Sequence, residues 1–370
     1  MGKRELLLIV AFVVCGAIVY QFTAPPPAAG ERSFAPGQLF EHIRRTVRGN
    51  RASAEVTTRS THPVDAGLSE LRFADMKSAN ITIHGEARSD IDVELVVHSN
   101  GFDDEEAHRL AKESALKVDR AGGRMVFTVQ YPEAGTQRST LTIKVPQRLA
   151  IQLQGGGSEL SIDHVTTVEV NGARGKLDVS DITGLVSGGH RGGEIHIVNA
   201  GAVKLSVSGT DADIERIRGE VSLTMRGGEL KCGELAGPFD LDTNGTDITV
   251  DRLDKTSGIV RINAVGGSLV VKGLRTEGRF DVRGTNVEVT IDRAAPLAIY
   301  SEGGDDVEVT PPTGGYQLDA VASDGAITLP SDTLEITSTG PEHRATGPIH
   351  GGGPTITIRS RRGNIQIKPR

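Results

Sequence analysis

The sequence is poor in the residues from which enzymes usually build cores and pockets. Phe, Trp and Tyr together make up 4% of its 370 residues, and tryptophan is absent. Aromatic side chains supply the largest buried areas in most globular enzymes. Their scarcity argues against an ordinary globular enzyme and favours an architecture of thin layers built from small side chains.

Cysteines are few and the net charge is not basic. Cys15 and Cys232 lie in segments that we expect never to meet, and both positions suit a small apolar residue. The sequence therefore offers no disulfide framework and no metal-binding spacing. The formal net charge is −7 and is spread along the chain. Because nucleic-acid binding requires a basic face, we expect no nucleic-acid partner.

Glycine, in contrast, is abundant, with 46 residues, and much of it belongs to a repeat. Between residues 149 and 329, glycine or another small residue introduces two apolar residues spaced i, i+2, ten times over. Such self-similarity is typical of a solenoid, because one unit cannot bury its apolar edge until a neighbour covers it. The pairs are Leu160/Ile162, Leu177/Val179, Ile195/Ile197, Ala212/Ile214, Leu230/Cys232, Ile248/Val250, Leu269/Val271, Val287/Val289, Val307/Val309 and Ile327/Leu329.

Each unit reads as a strand, a tight bend, a second strand and a second bend. The pattern predicts an all-β fold, a β-solenoid of units of about 18 to 20 residues, with strands about 4.8 Å apart along the stack. The residues that open the strands alternate between two types, as in Gly192-Gly193 and Gly209-Thr210. This alternation leaves open whether one or two units form each coil.

We divide the chain into four segments. Residues 1–24 form a signal anchor or transmembrane segment, and residues 25–51 form a Pro/Ala-rich spacer with a short helix around Gln38 to Val47. Residues 52–151 form an N-terminal cap with the first coils, and residues 152–370 form the repeat solenoid with a C-terminal cap. Within the N-terminal cap, acidic residues at the start of the stretch from Asp103 to Lys117 predict one short helix.

The N-terminal apolar run predicts contact with a membrane. Leu6–Phe22 has seventeen residues, which is at the short end of what crosses a bilayer. We favour an uncleaved signal anchor; the alternative is a cleaved signal peptide with processing near Ala28 and Ala29. In either case most of the chain lies outside the cytoplasm, because Lys3 and Arg4 favour a cytoplasmic N-terminus.

The best candidate for chemistry is the position just before each repeated strand. Carboxylates stacked there at strand spacing would repel one another. One hypothesis is a bridging calcium ion, since calcium prefers oxygen ligands; the alternative, which we favour, is local neutralisation by Arg191 and Arg226, each three residues before an acid. We therefore expect no cofactor, and calcium is the alternative. The four successive acids are Glu194, Asp211, Glu229 and Asp247.

Other clusters give little support to catalysis. Glu302 with Asp305 and Asp306, or Asp178 with Asp181, could serve a glycan-cleaving β-helix, but neighbouring acids in polar bends are usually solvated. His190 and His196 have no third ligand near them in sequence. No serine or cysteine stands in a nucleophile motif. We expect no catalytic residues.

Several segments carry a family resemblance. Ile81-Thr82-Ile83 with Gly85, the helix near Glu105 to Ala115, the strand Leu141–Pro146 and the glycine-rich repeats resemble a bacterial adhesin-like β-strand-repeat family. Its members carry a domain of unknown function related to auto-transporter adhesin head-like domains. The resemblance covers most of residues 70–370 and implies an extracytoplasmic, non-catalytic, right-handed β-solenoid with an adhesive role. It transfers no catalytic residues.

Together these features predict a membrane-anchored, non-catalytic β-solenoid of the bacterial cell envelope that binds or scaffolds a surface partner. The partner is a glycan or a protein, and the protein is secreted if the signal is cleaved. The alternatives are a lyase or glycosidase that acts on polysaccharides, and a component of an envelope-stress sensor. Three or more charged residues converging in one cleft would favour the enzyme over the binding protein.

Overall fold

The computed structural model describes residues 52–76, 78–133, 136–155, 159–303, 306–330 and 334–370. In these ranges 26 strands form one hydrogen-bonded sheet. They are accompanied by one α-helix, α1 (Asp104–Glu113), and one 3-10 turn (Leu253–Lys255). The predicted all-β class with a short helix in the N-terminal cap is therefore confirmed.

The strands fall into three groups along the chain. The N-terminal strands are β1 (Ala52–Pro63), β2 (Glu70–Ala74), β3 (Ala79–Glu86), β4 (Asp90–Gly101), β5 (Ala115–Ala121), β6 (Arg124–Gln130), β7 (Thr136–Pro146), β8 (Ala150–Gln154) and β9 (Glu159–Asp163). The central strands are β10 (Thr167–Ile217), β11 (Val221–Arg226), β12 (Glu229–Leu235), β13 (Phe239–Asn244), β14 (Asp247–Asp251), β15 (Val260–Val265), β16 (Ser268–Leu274), β17 (Gly278–Arg283), β18 (Asn286–Ile291), β19 (Leu297–Glu302) and β20 (Val307–Thr310). The C-terminal strands are β21 (Tyr316–Ser323), β22 (Ile327–Thr328), β23 (Ile336–Thr339), β24 (Glu342–Ile349), β25 (Thr355–Arg361) and β26 (Ile365–Ile367).

Two parallel ladders stack the successive coils. In ladder A, Val221 of β11 lies opposite Phe239 of β13, which lies opposite Val260 of β15. In ladder B, Leu230 of β12 lies opposite Ile248 of β14. Each repeat unit therefore contributes one strand to each ladder and forms one whole coil. This register answers the question that the alternating glycine turns left open, and it gives the fold its solenoid-like stacking.

The repeated apolar pairs of ladder B face a slim core between the two ladders. Nineteen of their twenty members are buried and Leu329 is partly buried. Four phenylalanines add bulk in ladder A, and the rings of Phe73 and Phe127 stack with centroids 5.2 Å apart. Burying one large apolar side chain contributes roughly 1.5 to 3 kcal/mol, so the core is the main source of stability.

The turns that lead from ladder A to ladder B alternate between two backbone forms. In both forms the first glycine is left-handed, with φ of 69° at Gly192 and 59° at Gly209. The second residue is another left-handed glycine in one form, such as Gly193 with φ of 84°, and a buried threonine such as Thr210 in the other. Type I′ and type II′ turns differ in the same way. The alternating Gly-Gly and Gly-Thr sequences thus correspond to two turn conformations, and each turn belongs to one whole coil.

At both ends of the stack the order of coils departs from the order of the sequence. β3 pairs with β7 on one side and β9 on the other, so the coil of β2 and β3 lies between two later coils. At the opposite end β25 lies between β19 and β21. The last coil of the chain therefore lies inside the stack, next to an earlier one.

Antiparallel strands and the helix cover the N-terminal end. β4 pairs with β7, and β1 pairs with β4. The helix α1 packs on β1 and β4 and buries Ala107, Leu110 and Ala111. It ends at Glu113, earlier than the predicted Lys117, because Ala115 already begins strand β5. At the C-terminal end β24 pairs with β21 and β23, and such coverage protects open strand edges.

From residue 52 onward, in the ranges that the structure describes, no helix is both long and apolar enough to cross a bilayer. The predicted anchor Leu6–Phe22, Cys15 and the helix expected around Gln38 to Val47 lie outside the described residues. Those expectations stay predictions.

Candidate functional site

An open groove of about 590 Å³ crosses the outer face of ladder A near its C-terminal end. Because the parallel strands are in register, outward residues of successive coils form columns with a spacing of about 4.8 Å. We call this the tyrosine groove. Its first column is Asp242, Asn263, Asp281, Tyr300, Arg359 and Val321. The second column, two residues further along each strand, includes Val265, Arg283, Glu302, Arg361 and Ser323.

The centre of the tyrosine groove is an exposed aromatic ring. Tyr300 is 41% exposed and lies in the column next to the one that holds Val265, which is 47% exposed. The guanidinium carbon of Arg279 lies 5.7 Å from the centroid of the Tyr300 ring, within the range of a cation–π contact. Tyr300 is the one aromatic among the large exposed apolar side chains of the described ranges. Tyr300 and Val265 thus expose apolar surface within the lining of one groove.

The tyrosine groove also gathers three carboxylates, Asp242, Asp281 and Glu302. Arginines pair with two of them. Arg279 Nε donates to Asp281 Oδ2 at 3.0 Å, and Glu302 forms ion pairs with Arg361 at 3.2 Å and Arg283 at 3.5 Å. Glycoside hydrolysis requires one protonated carboxyl group beside a second carboxylate. The ion pairs thus engage both oxygen atoms of Glu302 and one oxygen atom of Asp281.

The carboxylate of Asp319, on the neighbouring strand β21, is engaged by more partners than those of Asp281 and Glu302. It accepts hydrogen bonds from Arg359 and from the hydroxyl of Thr346, with Arg344 also close. The hydrogen bond from Arg359 is the main cause that lowers the pKa of the Asp319 carboxyl below its usual range. The carboxyl group of Asp319 is therefore ionised at neutral pH.

A second groove, of about 790 Å³, lies on ladder A closer to the N-terminal end. Three arginines line it, Arg174, Arg191 and Arg226, together with three hydroxyl residues, Ser206, Ser208 and Thr224. The lining includes no carboxylate. We call this the arginine groove, and its residues suit an anionic ligand, since guanidinium groups bind carboxylates and sulfates in bidentate fashion.

The predicted acidic ladder is present on the outer face of ladder B. Glu229 lies opposite Asp247, and Glu194 lines the same shallow groove as Asp211 and Glu229. Asp211 Oδ1 accepts the backbone N–H of Glu229 at 3.0 Å, Glu229 pairs with Lys231 at 3.0 Å, and Asp247 accepts from the hydroxyl of Ser268 at 2.8 Å. Hydrogen bonds thus engage Asp211 and Asp247, and Lys231 neutralises Glu229. Calcium bridging stays a prediction.

The compensating groups are not the ones that the sequence suggested. Arg191 and Arg226 were expected to neutralise Glu194 and Glu229 across the bend. Both arginines instead line the arginine groove of ladder A. The bend therefore places each arginine on ladder A and its expected acid on ladder B.

The two acidic clusters considered for catalysis are also engaged. Asp178 pairs with Lys176 at 2.8 Å, and Asp181 accepts from Asn199 at 2.5 Å. Asp306 Oδ1 accepts the backbone and side-chain N–H groups of Asn364. Glu302 belongs to the tyrosine groove, and Asp305 lies outside the described residues.

The histidines that the sequence drew attention to do not share a site. His190 is 2% exposed, has no hydrogen-bond partner in the described structure, and burial lowers its pKa. His196 is exposed on ladder B, 3.7 Å from Asp213. The residues that do converge are His84, Asp163 and His164. Sequence reasoning missed them, although aligning Ile81/Ile83 with Leu160/Ile162 places His84 opposite Asp163.

A family profile for Toastrack DUF4097 matches residues 68–368. The chain belongs to this family. The match agrees with the resemblance to an adhesin-like family of unknown function, and it does not extend to the suggested relation with auto-transporter heads. No curated protein matches the Toastrack chain in sequence.

Three crystal structures are similar to this Toastrack chain over most of its length. A candidate cell adhesion protein from Clostridium sporogenes shares 10% sequence identity with this chain. The match covers 86% of this chain and 100% of that protein, with a TM-score of 0.20. A candidate lipid binding protein from Parabacteroides distasonis shares 11% identity. The match covers 86% of this chain and 98% of that protein, with a TM-score of 0.32. A candidate adhesin from Bacteroides fragilis shares 10% identity. The match covers 85% of this chain and 97% of that protein, with a TM-score of 0.22. Similarity this distant carries no argument about function.

Proposed function

We propose that this Toastrack protein is a non-catalytic binding protein of the bacterial cell surface, and that it binds an extended acidic glycan along ladder A. The observation that carries the proposal is a continuous column of outward residues that leads from one groove to the other. One column of outward residues passes from the arginine groove into the tyrosine groove across eight coils, and seven spacings of 4.8 Å make it about 34 Å long. The column is Ser208, Arg226, Asn244, Val265, Arg283, Glu302, Arg361 and Ser323.

The charge distribution supports an anionic polymer. The arginine groove presents Arg174, Arg191 and Arg226 without a carboxylate in its lining. The groove on ladder B is lined by five acids and two lysines, so an acidic polymer would be repelled there. The arginine groove and the ladder B groove therefore differ in charge, even though the net charge of the whole chain is negative.

The tyrosine groove supports a carbohydrate rather than a simple anion. The ring of Tyr300 offers an apolar surface for the C–H face of a sugar, and its hydroxyl offers a hydrogen-bonding group. Asp281 and Arg359 flank the ring in the same column, and Asn263 lies one coil beyond Asp281. These residues present polar groups for sugar hydroxyls. An open groove of this kind admits a chain at any point along its length and needs no free end.

The proposed location follows from the sequence. The apolar run Leu6–Phe22 would anchor the protein in the cytoplasmic membrane, and the proline-rich segment after it would hold the coils away from the bilayer. A membrane-bound form in cell fractions supports this location, whereas a soluble form that begins near Gly30 would show that the signal is cleaved.

A polysaccharide-acting enzyme is the second candidate. It is favoured by one observation, the presence of Asp242, Asp281 and Glu302 in one groove, which satisfies the criterion of converging charges. Asp242 and Asp281 are two strands apart, about 10 Å, which is near the upper limit of the separation in inverting glycosidases. Against it stand the arginine partners of Asp281 and Glu302. The envelope-stress sensor stays a prediction from the sequence.

The test is binding of the full chain to an array of carboxylated, sulfated and neutral polysaccharides. We expect binding to the acidic members that weakens with added NaCl. The double variant Arg191→Ala/Arg226→Ala should lose at least about tenfold in affinity, because one charged hydrogen bond contributes about 1.5 to 3 kcal/mol. Tyr300→Ala should lose a similar factor, and Lys231→Ala on ladder B serves as the matched control.

Two results would overturn the proposal. One is the absence of binding to every acidic polysaccharide, and the other is binding that the ladder A variants leave unchanged. Release of reducing sugar by the full chain would show an enzyme. In that case Glu302→Gln and Asp281→Asn would identify the reacting carboxylates.

A further inference from the structure

Two imidazoles and one carboxylate converge at the end of ladder B where the N-terminal cap coil meets the regular array. His84 on β3 lies directly opposite Asp163 on β9, and His164 follows Asp163 in the chain. One ligand atom from each of the three residues lies within 4.8 Å of the others. Asp163 Oδ1 contacts Nδ1 of His164 at 2.7 Å and also contacts Nδ1 of His84. The cluster thus brings three metal-ligating side chains to one point.

The fold fixes the positions of these side chains. His84 and Asp163 follow buried apolar pairs in matching positions, so both point outward from neighbouring strands. His164 has φ of 55° in the left-handed region, at a corner that repeats in later coils with Asp181 and Asn199. The rings of His84 and His164 meet edge to face, with centroids 5.5 Å apart. Backbone register and a corner turn therefore arrange the donors.

Further carboxylates surround the cluster. Nε2 of His164 lies 3.7 Å from Asp181 Oδ2, and Nε2 of His84 lies 4.0 Å from Glu86 Oε1. Each ring therefore faces Asp163 with Nδ1 and another carboxylate with Nε2. Histidines that bind metals usually direct their second nitrogen at a carboxylate or carbonyl group, which fixes the ring and its tautomer. Within the described ranges, the ion pairs of Asp163 are to these two histidines and to no lysine or arginine.

We propose that His84, Asp163 and His164 bind one divalent first-row transition metal ion, with zinc as the reference metal. Zinc takes histidine nitrogen at about 2.0 to 2.1 Å and carboxylate oxygen at about 2.0 to 2.2 Å, so the donors of a tetrahedral site are about 3.3 Å apart. The Asp163 oxygen and the two ring nitrogens that it contacts must move apart by about an ångström or less. Side-chain rotations of these partly exposed groups can provide that movement. Calcium and magnesium prefer oxygen-only sites and do not fit a set with two imidazoles.

The bound metal would join two parts of the stack. His84 belongs to the coil that lies out of sequence order, and Asp163 is 79 residues further along the chain. The ion would therefore close a long loop and hold the N-terminal cap coil against the regular array. This site lies on a different ladder from the tyrosine and arginine grooves and is independent of the proposed glycan binding.

The test is zinc binding to the untagged full chain after treatment with a chelator, measured by calorimetry with ZnCl₂ as the only added metal. We expect one zinc ion per chain and a higher melting temperature with zinc. His84→Gln, Asp163→Asn and His164→Gln should each lower the affinity at least tenfold, whereas His196→Gln should change it less than twofold. His196 is the matched control because it too is an exposed histidine beside an aspartate on ladder B.

If a ligand variant does not fold, as judged by circular dichroism, the variant Asp181→Asn tests the proposal in its place. Loss of this outer carboxylate should lower zinc affinity by about tenfold. The proposal is overturned if the wild-type chain binds no zinc, if the ligand variants bind zinc as tightly as the wild type, or if His196→Gln weakens binding as much as they do. Cobalt provides a second readout: absorption bands of a low-coordinate site with nitrogen ligands support the proposal, and the spectrum of hydrated cobalt contradicts it.

Discussion

Two adjacent glycines in one turn should respond very differently to the same substitution. Gly227 and Gly228 connect β11 to β12, and both are left-handed, with φ of 70° and 89°. A Cβ atom on Gly227 would have no neighbour within 4 Å. A Cβ atom on Gly228 would lie 2.1 Å from the carbonyl oxygen of Thr210 in the preceding coil. The pair therefore separates the cost of backbone conformation from the cost of close stacking.

The expected magnitudes follow from these two terms. Alanine in the left-handed region costs roughly 1 to 2 kcal/mol, so Gly227→Ala should destabilise the protein by that amount. Gly228→Ala carries the same term and also forces two coils apart. Overpacking of this kind typically costs a further 1 to 3 kcal/mol. We expect Gly228→Ala to lower the free energy of unfolding by about 2 to 5 kcal/mol in total.

The measurement is equilibrium unfolding in urea, followed by far-ultraviolet circular dichroism because the chain has no tryptophan. Since long arrays can unfold in parts, hydrogen exchange of the Glu229 amide, which donates to Asp211, gives a local readout. Gly228→Ala should speed this exchange more than Gly227→Ala does. Equal effects of the two substitutions, or a neutral Gly228→Ala, would show that the coils do not approach each other as closely as described.

Three further expectations concern single side chains. Arg252→Ala removes contacts to Glu215, Glu234 and Asp251. Because Arg252 is exposed and its partners are partly exposed, urea unfolding should show a loss below about 1 kcal/mol that shrinks in high salt. Burial lowers the pKa of His190 below 6.5, so the unfolded chain binds more protons under acidic conditions; stability should fall from pH 7.5 to 5.5, and less so in His190→Leu, in thermal melts. Burial raises the pKa of the Cys232 thiol, so iodoacetamide at pH 8 should modify the Cys232 peptide, detected by mass spectrometry, only after unfolding. Rapid modification of the folded chain would contradict that burial.

The periodic part of the fold could be predicted because it depends on local pattern. Pairs such as Leu230/Cys232 and Ile248/Val250 are buried as expected, since a period of two places alternate side chains on one face of a strand. The strands predicted around Ile81 to Ile83 and Leu141 to Val145 are also present. The alternation of Gly-Gly and Gly-Thr turns was visible in sequence, but its meaning required backbone angles.

The candidate binding surface was only partly accessible to sequence reasoning. Tyr300 follows the apolar pair Leu297/Ile299, so its outward direction could have been inferred from the period. Its place next to Arg359 could not, because β25 enters the stack beside β19 from a distant part of the chain. Hydrogen bonds between backbones give no sequence signal for which strands become neighbours.

The out-of-order coils at the two ends explain why both candidate sites escaped a search by spacing. Each site combines residues from the ordered array with residues from a coil inserted beside it: Tyr300 with Arg359 at one end, and Asp163 with His84 at the other. Within the ordered array, neighbouring coils are about 18 residues apart and a periodic search compares the correct positions. At the ends the separation is 59 residues between Glu302 and Arg361 and 79 between His84 and Asp163. A search for functional residues in this fold must therefore compare residues of the end coils and of the array by their position within a strand, and not by their distance along the chain.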